Sequence, residues 1–404
     1  MSAMPQSVSR TADGIAVIDC DIHVMPPSAD ALLPFLDEHW REYIRQTAFR
    51  GAGETSYPKN IPTSRRLESV APNSGAEADL GSLQPNTGGP PSAGVDGGAG
   101  SDLARLQEQV LDPQRVAAGI LTCTYATESI HNPDAAAAMA AAVNDWQIAN
   151  WLEREPRLRG TLVIPSAQPD LAAREIDRLG DHPSFVQVFL PVRSDAPYGN
   201  RRYHPIFAAA ARHNLVVGIH FGGSPGNPPT PSGWPSYYLE EYVDMMTIFQ
   251  SQVLSLIAEG VFELFPTLRV TLLESGVTWL PSWMWRIDKE WKGLRREIPW
   301  SRRLPSETIR QHVRLTLPPV DAPPDPRQLQ EILAALGSDD LLLYASDYPH
   351  QHTAPGAVRS LGSPHSAVEE ALGLELPAPL IGKIMAGNAR EWYRNLSPSV
   401  TLVD

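Results

Sequence analysis

The chain is poor in cysteine: Cys20 and Cys123 are the only two, and both sit in apolar, strand-like runs. So few thiols argue against a disulfide framework and make a reducing cytoplasm the expected compartment. Positive charge is also short. Lys and Arg number 33 against 46 Asp and Glu, a formal net charge of −13. Nucleic-acid phosphates and anionic membranes repel such a chain, so neither is an expected partner. The local cluster Arg295, Arg296, Arg302 and Arg303 reads as a solvated face. No uninterrupted apolar run reaches the ~18 residues that a membrane-spanning helix needs. Residues 1–14 are polar and lack the apolar centre of a secretory leader, so none is expected. A Gly-rich phosphate-binding turn is missing too. The first strand runs instead into Asp21, Ile22, His23, Val24, Met25 and Pro26. That disfavours a dinucleotide-binding open sheet.

What is present is an alternation. Apolar strand-like segments cover Ala16–Asp21, Ala117–Cys123, Arg159–Pro165, Ser184–Pro191, Leu215–Phe221, Arg269–Glu274, Val313–Leu317 and Leu341–Ser346. Helical periodicity follows in Ala29–Gln46 (with Ser28 or Asp30 as cap), Pro133–Leu152, Asp170–Arg178, His204–His213, Tyr237–Phe265, Val277–Arg296, Pro326–Leu336 and Pro379–Arg394. Leu103–Val110 adds a further helix. The strands are nearly all-apolar rather than alternating, as expected when both faces are buried. The pattern predicts an α/β fold, a (β/α)8 TIM-like barrel, in one domain over residues 15–396. A polar tail precedes it at 1–14 and another follows at 397–404. Residues 51–101 are dense in Gly, Pro, Ser and Asn. They read as an irregular insertion after the first strand and helix, serving as a lid or subunit-contact arm or forming a partly disordered surface excursion.

In a parallel barrel the C-terminal strand ends share one mouth. The polar residues at those ends are Asp21 with His23, then His220, Glu274 and Asp347. Asp21 and His23 are two apart and point the same way on an extended strand, with Asp19 in phase one step deeper. His220 leads into Gly222 and Gly223, which let the backbone turn sharply. Asp347 opens the run Asp347–Tyr348–Pro349–His350, which Pro349 stiffens. Imidazoles and carboxylates meeting at one point are good ligands for a divalent metal. Asp21, His23, His220 and Asp347 are the candidate ligands, and Asp347 can bind a metal, accept a proton from bound water, or do each at different steps. Glu274 is read as a ligand, a general base, an anchor for His220, or a buried acid paired with Arg286. Arg193 ends its strand where it can clamp a substrate carboxylate. Trp234, Tyr237 and Tyr238 can stack on a planar substrate, and His350 and His352 can supplement the site. Trp279, Trp283, Trp285 and Trp291 crowd one helix, which suggests a homodimer or higher homo-oligomer.

Five segments in this order resemble a known family: Val17-Ile-Asp-Cys-Asp-Ile-His23, Val217-Gly-Ile-His-Phe-Gly-Gly223, Leu273-Glu-Ser-Gly-Val-Thr-Trp-Leu-Pro281, Tyr344-Ala-Ser-Asp-Tyr-Pro-His350 and Gly387-Asn-Ala-Arg390. The chain resembles the amidohydrolase superfamily, in its aminocarboxymuconate-semialdehyde decarboxylase-like branch. The resemblance implies a distorted barrel with one catalytic divalent metal, usually zinc and sometimes manganese. By it, Asp21 stands where the family's first-strand histidine pair begins, His220 matches the fifth-strand metal histidine, and Asp347 matches the eighth-strand aspartate. Glu274 stands where many members have a sixth-strand histidine. The fourth strand, Phe185–Arg193, has no lysine to bridge two metals, so a single metal is expected. The expected activity is a metal-dependent hydrolase that uses a metal-activated water on a small carboxylated or cyclic compound. His23, Glu274 and Asp347 are its catalytic candidates. The alternatives are a non-oxidative decarboxylase on the same scaffold and a barrel that binds a ligand without turnover.

Overall fold

The computed structural model describes residues 17–52, 65–66, 100–223, 226–317, 319–351, 376–393 and 396. Among these, eight parallel strands form one sheet in sequential order. They are β1 Val17–His23, β2 Val116–Thr122, β3 Leu158–Leu162, β4 Phe185–Pro191, β5 Val216–His220, β6 Val270–Leu273, β7 Val313–Leu317 and β8 Leu342–Tyr344. Neighbours in a parallel sheet need a crossover, and helices supply it. The longer ones are α1 Glu38–Gln46, α2 Pro133–Gln147, α3 Pro169–Leu179, α4 His204–Arg212, α5 Tyr238–Ala258, α6 Leu280–Leu294, α7 Pro305–His312 and α8 Pro326–Ala335. The sheet closes where β8 returns to β1. Ile22 bridges Tyr348 in parallel. The His23 N–H donates to Tyr348 O at 2.7 Å and the Asp347 N–H to Asp21 O at 3.1 Å. The expected TIM-like barrel is therefore the fold.

Several helices differ from the expectation. Ala29–Phe35 is a tight 3-10 segment with Pro34 inside it, and α1 begins only after Asp37. Asp37, rather than Ser28 or Asp30, is the cap, accepting the Trp40 N–H at 3.0 Å. Pro34 has no N–H to give to a continuous helix, so the chain restarts behind it. The long helix expected to reach Phe265 stops at Ala258, because Gly260 takes a left-handed φ of 74°.

The main apolar core lies between strands and helices. A second cluster inside the barrel joins Ile18, Cys20, Ala118, Ile120, Val186, Val216 and Leu343 to Ala389, Trp392 and Tyr393 of the C-terminal helix Asn388–Trp392 and its end. Polar ties hold this plug in place. The Tyr393 hydroxyl donates to Gln187 Oε1 at 2.9 Å, and Trp392 Nε1 donates to Thr271 Oγ1 at 2.9 Å. Ile18, Gln187, Val216 and Thr271 all lie near the starts of their strands, so the plug fills that end. The opposite rim is left for chemistry.

Most of the 51–101 insertion lies outside the described residues, as do the tails at 1–14 and 397–404 and His352. Its described parts meet the mouth. Arg65–Arg66 pair antiparallel with His350–Gln351, just beyond Asp347. Gly100 O accepts the Met25 N–H at 2.8 Å. Gly100 has φ 83°, and a Cβ there would lie 2.9 Å from His23 O. No helix among the described residues is long and apolar enough to cross a membrane.

Candidate active site

Apolar pairing delivers the polar residues to the rim. All of β1 is buried, and its register against β2 shifts between Asp19 and Ile22. Asp21 and His23 leave this irregular stretch facing one another, with His23 Nε2 3.9 Å from Asp21 Oδ1. His220 ends β5, and its ring meets that of His23 edge to face at 5.0 Å. Its Nε2 lies 3.7 Å from Asp21 Oδ2 and 3.4 Å from Glu274 Oε1. Glu274 Oε1 is also 3.2 Å from His23 Nε2, and Asp347 Oδ1 is 3.0 Å from the same nitrogen.

Both acids at the later strand ends carry unusual backbone. Glu274 has φ 58° and Asp347 φ 54°, the left-handed region that costs a residue with a Cβ about 1 kcal/mol or more. Neighbours hold them there. Thr316 Oγ1 accepts the Glu274 N–H at 3.1 Å, and Asp21 O accepts that of Asp347 at 3.1 Å. The twist swings both carboxylates off the strand direction and inward.

The donor set fits a metal ion. The ligand atoms of Asp21, His23, His220 and Glu274 all lie within 4.8 Å of one another. Both Asp21 carboxylate oxygens and His220 Nε2 are buried without a hydrogen-bond partner among the described residues. Each such orphaned group costs about 1–3 kcal/mol, more when charged. A single cation answers all of them. The His220 tautomer is already set for it. Nδ1 lies 2.6 Å from the Phe221 carbonyl, which can only accept, so Nδ1 carries the hydrogen and Nε2 presents its lone pair. Glu274 shares the mutually close group with Asp21, His23 and His220, while Asp347 lies against His23.

The electrostatics of the bare site are frustrated. Burial pushes the Asp21 carboxyl up, against the pull of His23 and His220. Burial also works against charging the two imidazoles, but facing carboxylates outweigh it and raise both. Asp21, Asp347 and Glu274 act on His23, and Glu274 and Asp21 act on His220. Beneath them Asp19 is wholly buried, and desolvation pushes it up to about 7 against hydrogen bonds from Ser346.

The remaining expected residues are more scattered. Arg193 is buried, with Nη1 3.2 Å from Oε1 of Glu241 on α5. Sequence reading missed that partner, since nothing local links β4 to the first turn of α5. Trp234 and Tyr237 stand out to solvent at 46% and 71% exposure. Arg286, the expected partner of Glu274 and a candidate substrate contact by its place on the helix that follows it, is exposed on α6, where its charge acts on Glu290. Glu274 faces the two histidines instead. The side chains of Tyr238 and His350 lie outside the described residues. Phe189, not singled out in the sequence, is buried on β4 with its ring 5.9 Å from that of His220. Its place two residues beyond the inward-facing Gln187 was the available signal.

The family model described as amidohydrolase matches residues 18–394. The chain belongs to the amidohydrolase family. Curated relatives of this amidohydrolase include the gamma-resorcylate decarboxylase of Rhodococcus jostii, 24% identical over 230 residues, which are 50% of this chain. The match covers 65% of that relative's length. Among solved structures, 5-carboxyvanillate decarboxylase from Sphingomonas paucimobilis superposes with a TM-score of 0.59 at 20% identity, covering 94% of this chain and 99% of that one. The dihydroxybenzoic acid decarboxylase of a Polaromonas species, solved with manganese and 2-nitroresorcinol, gives 0.60 at 18% identity over 96% and 100% of the chains. These likenesses correct one expectation. The anticipated hydrolase is overturned, because the curated relatives matched are gamma-resorcylate decarboxylases. Hydrolysis and decarboxylation use the same kind of strand-end ligands, so the ligand pattern alone did not separate them.

Proposed function

We propose that this amidohydrolase-family chain is a metal-dependent, non-oxidative decarboxylase of small hydroxylated aromatic acids. The supporting observation is the convergence of Asp21, His23, His220 and Glu274 on one buried point, in a chain whose matched relatives are decarboxylases. Asp21, His23, His220 and an acid from Glu274 or Asp347 would hold the ion. Two imidazoles with carboxylates suit zinc or manganese, and the Polaromonas structure contains manganese. A bound divalent ion supplies a Lewis acid that anchors substrate oxygens.

The chain's own groups supply the proton. Loss of CO₂ leaves the bonding electron pair on a ring carbon, which must then take up a proton. Asp347, buried at the end of the last strand and beside His23, is the proposed donor: its protonated carboxyl gives the ring carbon the proton and is recharged from solvent. Glu274, 3.2 Å from His23 Nε2 and 3.4 Å from His220 Nε2, would balance the charge of a bound cation. Phe189 packs its ring beside His220. Arg193 steadies α5 through Glu241, and exposed Trp234 and Tyr237, in the segment between β5 and α5, are the candidates to stack on a planar substrate. Exposed Trp285 on α6 supports association of two copies.

The test is incubation of manganese- or zinc-loaded protein with 2,6-dihydroxybenzoate and 5-carboxyvanillate in D₂O. The expected outcome is CO₂ release, with one deuterium on the ring carbon that lost the carboxylate. Release of no CO₂ from any hydroxylated aromatic acid in a broader panel would sink the proposal.

A further inference from the structure

We propose that Asp19 is a positioning residue for the metal site: through one carboxylate oxygen it sets the spacing between the backbones that carry Asp21 and Asp347. The inference rests on reading that site as a divalent-metal site. Asp19 is completely buried. Its Oδ1 accepts the Ser346 N–H at 2.9 Å and the Asp21 N–H at 3.2 Å. Ser346 immediately precedes Asp347. One oxygen therefore ties together the two chain segments that present these acids.

The position of this tie matters because pairing is thin there. Around the rest of the barrel, neighbouring strands share three or more registered residue pairs. Between β8 and β1 the described pairing is the single bridge Ile22–Tyr348. The β1–β2 ladder lapses at the same place. Its register runs Asp19 to Gly119 and then Ile22 to Leu121, so Cys20 and Asp21 fall in the gap. Asp347, for its part, holds a left-handed backbone. The ligand Asp21 is thus fixed by no regular ladder; besides the bonds from Asp347 N–H to Asp21 O and from His23 N–H to Tyr348 O, Asp19 Oδ1 ties its segment to Ser346, the residue before Asp347. A ligand whose backbone must be ordered at the moment of binding loses affinity, and anchoring it beforehand removes that cost. What the geometry needs from residue 19 is an acceptor at Oδ1, and an amide oxygen serves as well as a carboxylate.

The experiment compares wild type with Asp19→Asn, Asp19→Ser and Asp19→Val. Melting temperatures of the metal-free proteins report folding. Mn²⁺ titration followed by electron paramagnetic resonance, and Zn²⁺ titration against a chelator, report affinity. Asp19→Asn should bind within about threefold of wild type, while the Ser and Val variants should fold and bind at least tenfold more weakly. Wild-type affinity in a folded Ser or Val variant would overturn the inference. So would an Asn variant as weak as Val, because charge rather than placement would then be at work. Ser and Val chains that fail to fold would overturn it as well, by showing that Asp19 holds up the barrel and not the site. Absence of metal binding in wild type would overturn the metal reading itself, a result the variants alone cannot produce.

Discussion

His23 Nε2 lies 3.0 Å from Asp347 Oδ1, joining the end of the first barrel strand to the turn that follows the last. The same nitrogen has Glu274 at 3.2 Å and Asp21 at 3.9 Å. Three acids around one ring nitrogen are stable only with a proton or a cation among them.

Removing a ligand should therefore release the ion. His220→Ala is expected to weaken divalent-metal binding about 100-fold or more. Metal content by elemental analysis, together with a chelator-competition titration, measures this. Unchanged occupancy would show that the ion sits elsewhere.

The pH dependence has a definite sign. The imidazoles of His23 and His220 are raised in the metal-free fold, and binding a cation requires them neutral, so metal uptake displaces protons. Affinity should climb as pH rises above the ordinary imidazole range near 6.5. Stability of the metal-free protein should move the other way. A group with a raised folded pKa contributes stability that is present below its unfolded value and lost as pH rises through the folded one. For Asp19 that window runs from 3.8 to about 7. For the two histidines it begins near 6.5 and extends upward. The gap in melting temperature between metal-loaded and metal-free protein should widen from pH 6 to pH 8. A constant or narrowing gap would contradict this account.

Glu274 and Asp347 should separate by readout. Asp347→Asn is expected to lower kcat by about 100-fold or more while metal affinity changes little, as fits a proton donor. Glu274→Gln should instead weaken metal binding. The reverse pattern, seen by measuring kcat and metal affinity in both variants, would exchange their roles.

The C-terminal plug makes a stability prediction independent of chemistry. Trp392 is 5% exposed, packs inside the barrel and donates to Thr271. Trp392→Ala should cost about 3–5 kcal/mol by leaving a cavity and an orphaned hydroxyl. Denaturant unfolding checks it, and a loss under about 1 kcal/mol would mean the plug contributes little to the fold.

The barrel was legible because strands buried on both faces read as unbroken apolar runs, and a polar residue that ends one stands out. Asp21, His23, His220, Glu274 and Asp347 all emerged that way. The restart of α1 at Asp37 was harder to see, since Pro34 and a competing cap act over a few residues only. The partnership of Arg193 with Glu241 was invisible, because it links elements far apart in the chain.

Local residue order by itself determined which strands form and which polar side chains they deliver to their ends, since burial periodicity and turn chemistry act over a few residues. Only the closed barrel decided which carboxylate faces which nitrogen. That choice depends on strand register at the seam, on the left-handed twist at Glu274 and Asp347, and on the depth of Asp19. Each is fixed by contacts between residues far apart in the chain.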